Sequence, residues 1–174
     1  MLTVFLSAVA AVAAPFAEVG RAAALIRESE GVGYRVDSPW AARFGWGFAQ
    51  IDALVEAQVF ARAQSDSSGS IASFEKQATV WARKIFAISY AVKPFVALGA
   101  GMRQESLNTV YFGKEAAMSG KPVWLAAASF GAYWPFSISE FNGWGAELEI
   151  RLATSPGYAP NPQLGATGFL AYRF

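Results

Sequence analysis

The side chains best placed for chemistry are carboxylates in pairs. Asp52 and Glu56 stand four residues apart and Glu147 and Glu149 two apart. On an extended strand such positions share a face, so either pair could approach closely enough for one carboxyl to give a proton and the other to take one. Arginines fall on the same faces: Arg62 follows Asp52 and Glu56 at even spacing, and Arg151 follows Glu147 and Glu149. That mixture points instead to an internal ion network, because charges closed off from water must be paired or hydrated to escape the desolvation cost. The chain has no His and no Cys, which removes imidazole bases, thiolate nucleophiles, disulfides and Cys-based metal sites together. A serine could be activated only by lysine, and the lysines fall on outward or loop positions. Gly99 and Gly101 resemble a dinucleotide fingerprint superficially, but they lie within a strand that no helix follows. The expectation is a protein with no catalytic residues, metal or cofactor.

The elements that carry these charges alternate with a period of two. From Phe48 to Gln64 the odd positions Ile51, Ala53, Val55, Ala57, Val59, Ala61 and Ala63 are apolar, while Asp52, Glu56, Gln58, Arg62 and Gln64 share the even face. Ala, Leu, Glu and Gln favour helices, but on a helical wheel these polar residues scatter and leave no apolar stripe, so the segment reads as a long strand. Ile71 to Ile88 alternates again: Ser73, Glu75, Gln77, Thr79 and Arg83 oppose Phe74, Ala78, Val80, Ala82, Phe86 and Ile88. Lys76 and Lys84 interrupt the apolar row near its aromatic ends, where a lysine stem can lie along lipid while the ammonium reaches the interface. Phe95 to Arg103, Trp124 to Trp134, the segment from Gly143 through Arg151, and the last residues with Leu164, Ala166, Gly168, Leu170, Tyr172 and Phe174 on one face repeat the pattern. A first hairpin between Val19 and Val36, with its tip at Glu28 to Gly31, brings the count to eight strands. Turns are expected near Ser38 to Gly45, Ser89 to Pro94 and Pro135 to Asn142. Outer loops are expected at Ser65 to Ser70, Asn108 to Lys121 and Thr154 to Pro162.

The 174 residues suffice for one domain, 54 % of them are hydrophobic and only 16 % are charged, well below the roughly one quarter of soluble domains. A net charge of +1, spread without a basic cluster, argues against nucleic acid as a partner. Leu2 to Ala14 is an unbroken run of mostly apolar and small residues containing Ala11-Val12-Ala13. It has the form of a secretory signal cleaved after Ala13, and at about 13 residues it is too short to span a bilayer as a helix. The organisation read from the sequence is a signal over 1–13 and a barrel over 14–174.

A soluble lipocalin-like binding barrel would alternate too, with its polar face outward. Here the apolar faces are long, rich in Ala, Val and Leu, and bounded by aromatics, with Phe74, Phe86, Trp124, Trp134, Trp144 and Tyr172 as the girdles. The polar faces mix acids and bases as an enclosed lumen would: Asp52, Glu56, Glu75, Glu105, Glu147 and Glu149 against Arg35, Arg62, Arg83, Arg103 and Arg151. The fold class is therefore an all-β transmembrane antiparallel up-and-down barrel of eight strands.

Lys93-Pro94-Phe95-Val96-Ala97-Leu98-Gly99-Ala100-Gly101 resembles the Pro-aromatic-x-x-x-Gly-x-Gly strand start of the small Gram-negative outer-membrane β-barrel superfamily, with its OmpA/OmpX-type and OmpW-like members. The terminal Leu170, Tyr172 and Phe174 are similar to that superfamily's assembly signal. The resemblance implies an outer-membrane location, contact with outer-membrane lipids and lipopolysaccharide, and insertion by the barrel-assembly machinery. It implies no activity. Two functions follow as expectations: a structural or surface-interaction protein with a plugged interior acting through its outer loops, or a narrow channel for small or hydrophobic solutes. Eight strands carrying large charged residues inward favour the plugged state.

Overall fold

The computed structural model describes residues 14–27, 34–48, 50–65, 67, 69–86, 88, 91–136, 143–156 and 163–174. The expected signal over 1–13, the first hairpin's tip and the side chains of residues 23–27, 34–37, 62 and 64 lie outside the described residues. Ten strands form one antiparallel sheet: β1 (Ala14–Arg27), β2 (Tyr34–Asp37), β3 (Trp40–Phe48), β4 (Ile51–Ser65), β5 (Gly69–Ile85), β6 (Lys93–Tyr111), β7 (Lys114–Ser119), β8 (Val123–Pro135), β9 (Gly143–Thr154) and β10 (Gln163–Arg173). β2 and β3 both pair with β1, and β7 and β8 both pair with β6. Each couple is one stave broken near a proline, Pro39 or Pro122, which has no backbone N–H to give the ladder. Eight staves result, and β10 pairs with β1 to close them.

Closure fixes the geometry. Following paired residues round the wall leads from Pro15 through Trp46, Ala53, Ala82, Leu98, Ala128, Leu152 and Leu164 to Leu25, so the circuit climbs ten residues of β1. Ten residues at about 3.3 Å over eight spacings of about 4.8 Å tilt the strands by about 40° and put the backbone roughly 8 Å from the axis. A lumen of that width is filled by side chains.

The two faces differ as the alternation predicts. Outward residues such as Ile51, Val55, Val59, Val80, Leu148 and Ile150 stay exposed, with Val80 at 61 % and Leu98 at 70 %. A wall with so many large apolar groups outside is stable in hydrocarbon, where a closed barrel leaves no backbone edge unpaired.

Two expected connections are strands instead. The turn placed at Ser38 to Gly45 is occupied by β3, in which Trp40, Ala42, Phe44, Trp46 and Phe48 face out and Ala41, Arg43, Gly45 and Gly47 face in. The true turn follows Phe48, which ends β3 rather than beginning β4. Gly45 imitates a turn residue but serves the lumen, since it pairs with Phe16, whose ring occupies the space a side chain there would need. The loop expected over Asn108 to Lys121 holds the top of β6, a two-residue turn at Phe112 and Gly113 with φ of 47° and 74°, and β7. Positive φ at both central residues matches the twist of a tight hairpin.

Gly45 is one of several such cases. Gly20 faces Phe169, Gly99 faces Trp81 and Gly131 faces Phe95 directly across their ladders, and Gly145 lies beneath the Tyr133 ring. Each of these five lumen aromatics thus lies over a neighbour without a side chain. A methyl group on Gly99 would stand 2.6 Å from the Trp81 ring, whereas one on the outward Gly168 would meet only Glu147 O at 3.9 Å. Gly99→Ala should therefore lower unfolding stability by about 1–3 kcal/mol, and Gly168→Ala should change it by less than about 0.5 kcal/mol. Denaturant titration in detergent micelles, read by heat-modifiable gel mobility, checks both; equal effects would remove the packing account.

Candidate functional site

Six of the eleven charged residues expected inside converge with three others. Asp52 and Glu56 come from β4, Arg83 from β5, and Glu147, Glu149 and Arg151 from β9; the additions are Glu18 on β1, Arg43 on β3 and Arg173 on β10. Asp52, Glu56 and Glu149 are each only 1 % exposed.

The network is a continuous alternation of sign. Near the end that carries both termini, Arg173 Nη2 lies 3.1 Å from Asp52 Oδ2. Arg83 takes the same Asp52 oxygen at 2.7 Å, reaches Glu18 at 3.0 Å and pairs with Glu147. Arg43 is the hub: it meets Glu56 at 2.6 Å, Glu147 and Glu149 at 2.7 Å each, and Glu18 at 3.2 Å. Arg151 completes the run, donating to both Glu56 oxygens at 2.6 and 2.7 Å and pairing with Glu149. Ser129 Oγ donates to Glu149 at 3.3 Å.

Aromatic rings sandwich the guanidinium groups. Arg43 lies 3.8 Å from the Phe169 centroid, Arg83 lies between Phe16 and Phe95 at 5.2 and 5.3 Å, and Arg151 sits 4.8 Å over Trp81. Their quadrupoles favour a desolvated cation and fill the space that water would otherwise take.

Glu75 and Arg103 form a separate pair higher in the lumen, at 2.8 Å, and Arg103 also donates to Gln163 at 2.8 Å. The Arg62 side chain, expected inside, and that of Arg35 lie outside the described residues. Glu105 is half-buried directly opposite Glu75. A cavity of about 30 Å³ above the network, lined by Gln58, Phe60, Gln77 and Arg151, has room for about one water.

The acid-base reading of the carboxylate pairs meets this geometry directly. Asp52 serves Arg83 and Arg173, Glu56 serves Arg43 and Arg151, and Glu147 and Glu149 are both held by Arg43. Ser73 and Lys76 have the spacing of a serine-lysine pair, but strand alternation puts Lys76 outside and Ser73 on the opposite face.

Outside, Phe86, Trp134, Trp144 and Tyr172 lie at the end carrying both termini, joined by Trp46, Phe48 and Phe174; Trp144 and Phe174 pack on Tyr172 with centroids 4.9 and 5.0 Å away. Phe74 and Trp124 lie toward the other end. The 12 residues from Phe74 to Phe86 correspond to about 30 Å of height at the strand tilt, near the thickness of a bilayer core.

No protein-family model and no curated protein sequence matches this chain. Solved structures do. Ail, the attachment invasion locus protein of Yersinia pestis, shares 18 % identity over 93 % of this chain and 99 % of its own, with a TM-score of 0.60. Neisserial surface protein A is 12 % identical over 92 % of this chain and 97 % of its own, with a TM-score of 0.62. The N-terminal β-barrel domain of Pseudomonas aeruginosa OprF is 12 % identical over 91 % of this chain and 97 % of that domain, with a TM-score of 0.51. With its closed wall of eight staves, apolar outer surface and charged lumen, the chain has the fold of the small transmembrane barrels of bacterial outer membranes.

Proposed function

We propose that this is a non-enzymatic protein of the bacterial outer membrane, with a lumen sealed by its ion network and a working surface at the end remote from the termini. The observation that carries the reading is Arg43, held at the centre of the lumen by four carboxylates and stacked on Phe169. A cation bound so many times cannot step aside for a passing solute without leaving buried carboxylates unpaired.

The surface role rests on how far one side of the barrel projects. Above Arg103, β6 leaves β8 and pairs with β7, while β4 and β5 rise beside it. From Gln104 to Tyr111 this sheet extends about 18 Å along the axis. It exposes Val110, Tyr111, Phe112 and Met118, an apolar edge suited to contact with another molecule. Yersinia pestis Ail has been solved with a heparin analogue, sucrose octasulfate, which gives precedent for a ligand on a barrel of this fold. In this reading residues 1–13 are a secretory signal, the termini face the periplasm, and the barrel-assembly machinery reads the end of β10.

Purified, folded protein in a planar bilayer should give no steady conductance, and reproducible open-channel steps would overturn the sealed lumen in favour of a narrow channel. Arg43→Ala should cost about 3–5 kcal/mol of unfolding stability, because four carboxylates lose a shared cation, and should introduce brief current bursts. Unfolding titrations and recordings of the same preparation check the two effects together.

Phe174 generates a further expectation. Its backbone N–H donates to Pro15 O at 3.0 Å, so the last residue helps fasten β10 to β1, and its ring packs edge-on against Tyr172. Losing one ring at the rim should weaken the folded barrel little. Deleting Phe174 should lower recovery from outer membranes severalfold and leave detergent refolding intact; normal membrane levels would dismiss the terminus as the assembly signal.

A further inference from the structure

Strand β7 has a neighbour on one side only. Its ladder with β6 runs without a bulge from Ser106 opposite Ser119 to Tyr111 opposite Lys114, and at the next position down Gly120 N donates to Glu105 O at 2.8 Å. Bonded and non-bonded pairs alternate along an antiparallel ladder, so Lys114, Ala116 and Met118 turn their backbone groups to β6, while Glu115, Ala117 and Ser119 turn theirs away from it. Among the described residues no strand meets that second edge: β8 begins at Val123, and β9 pairs with β8 no higher than Ala126. All six residues of β7 are exposed.

An open edge is a template for another strand, and proteins guard such edges with charge, proline or a bulge. Here Lys114 and Glu115 lie together at the turn end, and Pro122 follows after the strand has ended, which leaves Ala116-Ala117-Met118-Ser119 unguarded. This edge is also complementary to itself. With Ala117 facing Ala117 in an antiparallel pair, Glu115 faces Ser119, and every N–H and C=O that β7 leaves free is bonded on both copies. Centring the pair on Ala116 would set Ser119 against the turn at Gly113, and centring it on Met118 would set Glu115 against Lys121, outside the strand. In the Ala117 register the Glu115 carboxylate lies opposite a hydroxyl and diagonal to Lys121 of the second copy. On the other face Met118, 69 % exposed, lies against Ala116, and Lys114 against Gly120. Large residues meet small ones, and no like charges meet.

From this juxtaposition we infer that β7 is a homotypic docking edge, which pairs antiparallel with β7 of a second copy of this chain about Ala117. The surface is the same on both partners, as a two-fold contact requires. The geometry also fixes how the copies sit. The two-fold axis of such a pair stands perpendicular to the sheet, and the projecting sheet continues the barrel wall through β4, β5 and β6. The axis therefore crosses the barrel axis at a right angle, and the two barrels point mouth to mouth. Pairing of this kind joins copies in two facing membranes rather than neighbours in one. The inference rests on the surface role proposed above and names the partner of the projecting hairpin.

The chain has no Cys, so single-cysteine variants read the register directly. Folded protein is placed in nanodiscs at one barrel per disc, and folding is scored by heat-modifiable mobility. A chain that does not enter the discs folded fails the membrane reading, whereas folded barrels whose discs stay single fail this inference alone. Wild-type discs at tens of micromolar should sediment as pairs. Under mild oxidation Ala117→Cys should give disulfide-linked disc pairs, and Ala116→Cys should cross-link to Met118→Cys about fivefold more than to itself. Ala117→Lys sets two ammonium groups against each other at the centre of the pair while sparing the β6 ladder, and should lower pairing about tenfold. Ala72→Lys, on the exposed face of β5 away from the edge, should leave pairing unchanged. Single wild-type discs, equal cross-linking at every β7 position, or full pairing by Ala117→Lys would each overturn the inference. Single discs that bind an extended synthetic peptide along β7 would assign the edge to another partner and overturn it too. Cross-links found only in discs loaded with two barrels would overturn the mouth-to-mouth arrangement.

Discussion

Everything in this barrel depends on how Arg43 is held. Eight staves with a circuit that climbs ten residues enclose a lumen that side chains can fill and that is too wide to collapse on itself. Four carboxylates from three strands converge on one guanidinium: Glu18 from β1, Glu56 from β4, and Glu147 and Glu149 from β9. Glu18 and Glu56 are the ladder partners of Arg43 on the two flanking strands, whereas Glu147 and Glu149 reach it from β9, three staves away, so half of the bonds cross the lumen and tie distant parts of the wall together. Arg83 and Arg151 extend the same cross-bracing below and above.

The glycines and aromatics make that bracing possible. A lumen about 16 Å across at the backbone cannot hold large side chains at every inward position. Wherever Phe16, Trp81, Phe95 or Phe169 lies inward, its partner across the ladder is Gly45, Gly99, Gly131 or Gly20. The bare backbone accepts the ring, and the ring then presents its face to an arginine, as Phe169 does to Arg43 and Trp81 to Arg151. Size complementarity between adjacent strands therefore sets where each guanidinium rests, and the carboxylates are placed around it.

Most of this was legible wherever alternation ran uninterrupted. β4, β5 and β9 carry most of their polar residues on one parity and most of their apolar residues on the other, so the inward positions of Asp52, Glu56, Arg83, Glu147, Glu149 and Arg151 followed from period two. β3 was not legible for a physical reason: its inward face is Ala41, Arg43, Gly45 and Gly47, and two glycines beside a nearby proline look like a turn when viewed locally. The outward row Trp40, Ala42, Phe44, Trp46 and Phe48 carried the corrective signal, since five apolar residues at one parity have no use in a turn. Glu18 fell just outside the first strand expected from Val19, and β1 is rich in Ala, whose small side chain marks neither face. Which acid meets which base depends on the shear of the closed wall, a property of all eight strands together that no segment carries by itself.

A buried ion network is a poor source of stability by itself, because apolar residues of the same volume often do as well once desolvation is counted. Its value here lies in telling the two faces apart. In water a strand with one polar and one apolar face has one sensible orientation, but with hydrocarbon outside, an apolar lumen would make the inner and outer faces chemically alike. A slip of one residue in register exchanges every side chain between faces. With an apolar lumen that slip would be nearly free; with Arg43, Arg83 and Arg151 inward it would drive three guanidinium groups and their carboxylates into lipid, each at a cost of several kcal/mol. Among the described residues, the carboxylates below the projecting β6–β7 hairpin face inward, and Arg21 and Lys76 sit outward beside aromatics while Lys84 lies at the rim with Gln50. The same inward placement of charge that fills the lumen with ion pairs also fixes the register of the wall.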